Sequence, residues 1–84
     1  MKNEKQIFER VSSYLAGEIT LFELQDWISS RETYWASLAR DNPGRRLAGR
    51  IMLAYYEYGA GHRDEESLRE VAREAIGRLS SQPA

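Results

Sequence analysis

Apolar residues recur along this chain with the period of an α-helix, and polar residues fill the spaces between them. Over residues 3–16, Ile7, Phe8, Val11, Tyr14 and Leu15 fall at i, i+1, i+4, i+7 and i+8 and make one stripe. Lys2, Lys5, Glu9 and Arg10 lie off it. Ala16-Gly17 predicts the end of that helix, because glycine accepts the left-handed conformation common just past a C-terminus. Thr20-Leu21-Phe22-Glu23 has the spacing of a capping box, with Ile19 and Leu24 at the hydrophobic-staple positions. Leu21, Leu24, Trp27 and Ile28 continue an inward face, with Glu18 and Asp26 outside it.

Ser29 to Glu32 reads either as the polar face of one long helix or as a break, since Ser29 and Glu32 repeat the capping-box spacing. The reading adopted is a helix to about Ser29, a short break, and helix again from about Arg31 to Leu38. Trp35 and Leu38 are its apolar positions and Tyr34 is half-buried. Asp41-Asn42-Pro43-Gly44 is a turn. Asn42 is the expected N-cap of the next helix and Pro43 its first residue, where a missing N–H is no loss. Leu47, Ile51, Ala54, Tyr55 and Tyr58 carry that helix to about Tyr58, and Met52, Leu53 and Tyr56 widen its stripe, which predicts the most buried helix of the chain.

Gly59-Ala60-Gly61 ends it. Asp64 then caps a last helix with Glu65 and Glu66 on its first turn, where the macrodipole favours acids. Leu68, Val71, Ala72, Ala75, Ile76 and Leu79 form its stripe, and Glu65–Arg69 and Glu74–Arg78 are i,i+4 pairs. Residues 80–84 are expected to fray. No β-type alternation and no repeat is present. The prediction is all-α: one domain over residues 1–84, a compact bundle of four to five short helices with mostly antiparallel neighbours.

Composition narrows function more than fold. The net charge is −1, so no overall field steers the protein toward nucleic acid or an anionic membrane. There is no cysteine, which excludes thiolate zinc sites and cysteine nucleophiles. No apolar run approaches the ~20 residues that span a bilayer, and MKNEKQIFER has no signal-peptide core. A cytoplasmic protein is expected. A wide apolar stripe on so small a bundle also leaves room for a homodimer.

Gly59-Ala60-Gly61 lacks the strand, the third glycine and the Gly-Lys-Ser/Thr of phosphate loops, so it reads as a helix stop. His62 with Glu57, Asp64, Glu65 and Glu66 lacks the helix-borne ligand pairs of a bundle metal site, and capping explains the acids. No metal and no cofactor is expected, and no acid–base pair or nucleophile points to an enzyme. Arg40, Arg45, Arg46 and Arg50, offset by Asp41, form a basic patch suited to phosphate or acidic partners. Tyr55, Tyr56 and Tyr58 cannot all point inward at ~100° per residue, and an exposed tyrosine is a favoured contact residue. Trp27 and Trp35 are assigned to the core.

Leu15-Ala16-Gly17-Glu18-Ile19-Thr20 followed by Glu23-Leu24, and Tyr58-Gly59-Ala60-Gly61-His62 followed by Asp64-Glu65-Glu66-Ser67-Leu68-Arg69, resemble small bacterial helical proteins of uncharacterised function. They are also similar to the colicin-D-type immunity family, over about half of the chain. The resemblance implies a helical bundle that binds a toxic nuclease domain and blocks its active site, usually through acids that imitate nucleic acid. The dense acidic cluster here is Asp64-Glu65-Glu66. The expected function is therefore non-catalytic protein binding, with Tyr56, His62, Asp64 and Glu65 as contact residues. The alternative is a nucleic-acid or acidic-partner module using Arg40, Arg45, Arg46 and Arg50, with nucleic acid the less favoured of the two.

Overall fold

The computed structural model describes residues 2–80 and is helical throughout: α1 Lys2–Leu15, α2 Leu21–Ser29, α3 Glu32–Ser37, α4 Pro43–Gly59 and α5 Glu65–Ser80. The expected fraying of the tail concerns residues 81–84, which lie outside the described residues, together with Ser80 at the end of α5. Among the described residues, no helix is long and apolar enough to cross a membrane.

The helix ends follow from local chemistry. Thr20 and Glu23 form the reciprocal capping box, with Glu23 N–H donating to Thr20 Oγ1 at 3.1 Å and Thr20 N–H to Glu23 Oε1 at 2.8 Å. Asn42 Oδ1 accepts from Arg45 N–H at 3.1 Å, and Pro43 opens α4. α1 and α4 close in the same way. Gly17 and Gly61 both take φ near +81°, and the residue after each donates back across the last turn, Glu18 N–H to Ser13 O and His62 N–H to Glu57 O, both at 2.8 Å. These are Schellman closures, which satisfy carbonyls that a helix end leaves open.

The break after Ser29 forms, but not through the second capping box. Ser29 Oγ turns back to Asp26 O, and Arg31, the residue ahead of α3, makes no side-chain cap. The break is held by side chains that satisfy the last carbonyls of α2. Trp35 Nε1 donates to Ile28 O at 3.0 Å, and Ser30 Oγ and an Arg31 guanidinium nitrogen both donate to Trp27 O at 3.0 Å. The Arg31 and Arg10 guanidinium groups also lie over the Trp27 ring, at 4.3 and 5.3 Å from its centroid.

α4 is the hub, packed against all four other helices. Its buried face is Gly44, Leu47, Ala48, Ile51 and Ala54. Ile7, Val11 and Tyr14 of α1, Leu21, Leu24, Trp27 and Ile28 of α2, Trp35 of α3, and Leu68, Ala72, Ala75 and Leu79 of α5 complete one core. Asn42 Nδ2 donates to Glu4 at 2.7 Å, and a Cβ at Gly44 would stand 3.3 Å from the Glu4 Cα. At the other end Tyr14 reaches Glu65 at the start of α5. α1 therefore runs parallel to α4 and antiparallel to α5, while α4 and α5 form an antiparallel hairpin.

α4 is not buried all round. Leu53 and Tyr56, expected to widen its stripe, are 55% and 65% exposed. Taking the centre of its buried face as the inward direction, they lie roughly 160° and 140° away from it at 100° per residue.

Candidate functional site

The Gly59–Leu68 hinge is rigidly tied. Besides the closure at Gly61, Arg63 donates through Nε and a terminal nitrogen to Glu57 Oε1 at 2.9 and 2.7 Å, and through its other terminal nitrogen to Ser67 Oγ at 2.8 Å. Asp64 Oδ1 accepts from Ser67 N–H at 2.8 Å and so caps α5. His62 stands exposed on this loop, with its backbone N–H closing α4. Its position is explained by that backbone bond. Among the described residues, no three His, Asp or Glu side chains group to hold a metal.

Glu65 is engaged from below. The buried Tyr14 hydroxyl donates to Glu65 Oε2 at 2.7 Å, and Arg69 lies 3.5 Å from the same oxygen. The Arg69 guanidinium also covers the Tyr14 ring at 4.6 Å and reaches Tyr14 O at 3.4 Å. Burial, followed by the hydrogen bond to Glu65 and its negative charge, raises the Tyr14 phenol well above its ordinary value. Glu66 pairs with Arg73 at 3.3 Å. Of the acidic turn, Glu65 is thus tied to α1, Asp64 caps α5, and Glu66 pairs along the exposed face of α5.

The four expected contact residues do not form one surface. Tyr56 lines a groove between α4 and the α2–α3 break, with Ile28, Trp35 and Met52. Glu65 lines a different one, with Ile19, Phe22, Tyr55, Tyr58 and Arg69. The basic patch divides as well. Arg45 turns toward α3 and donates to Leu38 O at 2.6 Å, so it serves as a helix-end cap. Arg46 and Arg50 face α5, where Arg50 pairs with Glu74 at 3.8 Å, and Arg40 is exposed in the loop before α4.

The groove at Glu65 is more aromatic than the one at Tyr56. It lies between the α1–α2 turn, the start of α2 and the end of α4, with a volume of about 470 Å³. Tyr58 points within roughly 20° of the inward direction of α4. It is nonetheless 39% exposed. The apolar stripe of α4 is longer than the core that covers it, and the groove is what lies beneath the uncovered end. Opposite stands Phe22, 66% exposed. Phe22 is an exposed groove-lining aromatic to which sequence reasoning assigns only a place in the capping box. The signal was available, since it lies roughly 150° from the inward face set by Leu21, Leu24, Trp27 and Ile28.

Comparison of the chain with family models, with curated proteins and with solved structures finds no match.

Proposed function

We propose that this chain is a non-catalytic protein-binding domain and that the aromatic groove is its contact surface. One observation carries the reading: Tyr58, on the inward face of α4, and Phe22, on the outward face of α2, line the same uncovered groove. Large aromatic side chains held on rigid helices lose little conformational entropy on binding and supply much apolar area, which is why such residues dominate contact energetics. The adjoining Glu65 and Arg69 are paired with each other, so the groove favours an apolar or aromatic partner segment over a charged one. In its most concrete form the partner is a toxic nuclease domain, as the immunity-type resemblance implies. The ties on Glu65 favour aromatic contact over acid mimicry as its mode of binding.

The test is site-specific photo-crosslinking in the cells that make the protein. A photoreactive phenylalanine analogue replaces Phe22, or the exposed Glu70 on α5 as a control. The expected result is one discrete adduct from position 22, lost on Tyr58→Ala, and none from position 70. No adduct from position 22, or the same adducts from both positions, overturns the reading.

A further inference from the structure

The groove between α4 and α5 has a different chemistry. Arg46, Arg50 and Leu53 line it from α4, and Glu74 and Arg78 from α5. The three α4 residues stand at i, i+4 and i+7, within roughly 60° of one another around the helix, and successive turns rise about 5.4 Å. Glu74 is shared, 3.8 Å from Arg50 and 4.0 Å from Arg78. On this face of α4, Arg46 and Arg50 thus set two guanidinium groups against the one carboxylate of Glu74, on a chain whose net charge is −1. The Arg50–Glu74 pair is long and exposed, so it constrains Arg50 weakly. Leu53, an exposed apolar side chain, sits among these charges.

We propose that this groove is a second docking surface, for an acidic amphipathic helix of a partner protein. Charge complementarity selects the occupant. Two carboxylates one helical turn apart match Arg46 and Arg50, and an apolar residue on the same face covers Leu53. A nucleic-acid strand fits less well, because its phosphate backbone carries no aliphatic side chain to cover Leu53. The surface is independent of the aromatic groove, which lies at the other end of α4.

The test is an NMR titration of the labelled protein with a synthetic helical peptide that bears two glutamates four positions apart and a leucine three further on. The peptide's Glu→Gln twin and a short DNA duplex serve as competing probes. The acidic peptide is expected to shift the amides of Arg46, Gly49, Arg50, Leu53 and Arg78. Its affinity should fall about tenfold on Arg46→Ala or on Leu53→Gln, a hot-spot-sized loss, and should fall as salt rises. Both positions are exposed, and circular dichroism verifies that each variant folds. Tyr58→Ala should leave the titration unchanged. Shifts elsewhere or none, equal binding by the Gln twin, or tighter binding by the duplex overturns the proposal.

Discussion

The two ends of α4 carry the same helical pattern and meet opposite fates. Toward its start and middle, Leu47, Ile51 and Ala54 point inward and are covered by the surrounding helices. One turn beyond Ala54, Tyr58 points in nearly the same direction and remains over a third exposed. Periodicity fixes which way a side chain faces. Burial further requires that another element reach the same height, and α2 begins with its capping box and an outward Phe22 where that cover would be needed.

The largest effect that can sharpen this contrast is at the covered end. Ile51→Ala should lower unfolding free energy by about 2–5 kcal/mol in chemical denaturation, as core truncations do. A loss under about 1 kcal/mol would mean that the covered end is less tightly packed than described. Next comes alkaline pH. The folded state holds the Tyr14 phenol above its ordinary value, whereas the unfolded chain releases that proton near pH 10. The sign is therefore stabilising below pH 10 and lost as pH rises further, by up to about 1.4 kcal/mol per unit. Denaturation of Tyr14→Phe alongside the parent, from pH 9 to 11, should show a shallower fall in the variant.

A smaller effect is expected at Tyr34, whose buried hydroxyl finds no hydrogen-bond partner among the described residues. Tyr34→Phe should raise stability by about 1 kcal/mol, because an unpaired buried hydroxyl is unfavourable; a comparable loss in thermal melting would reveal a partner. The smallest effect belongs to the uncovered end. Phe22→Ala should change stability by no more than about 0.5 kcal/mol. A loss as large as that of Ile51→Ala would make the groove part of the core.

These contrasts mark what the sequence could and could not disclose. Thr20 with Glu23, Asn42 with Pro43, Gly17 and Gly61 were legible because each acts within one turn of chain. The core positions of α1, α2 and α5 were legible because one stripe per helix is a local property. The outward facing of Leu53 was also within reach of helical geometry, and was lost only by letting every apolar residue join the stripe. The roles of Arg45, Arg63 and Arg69 were not legible. A long guanidinium side chain can reach carbonyls, carboxylates or rings several residues or a whole helix away, and only the packed fold selects among them. Likewise, the Tyr14–Glu65 bond joins residues 51 positions apart.

That separation has a consequence for how the protein is made. α4 and α5 are neighbours in sequence and tied at their hinge, so they can pair as soon as both have been synthesised. α1 emerges ahead of the other helices, yet it packs most against α4 and α5, which are encoded last. At about 5–20 residues per second, Ile7, Val11 and Tyr14 wait roughly 3–10 s after leaving the ribosome before Glu65 follows them. During that interval the apolar stripe of α1 lacks the cover of α5 and, until α4 follows, most of the rest, and it is open to water and to other nascent chains.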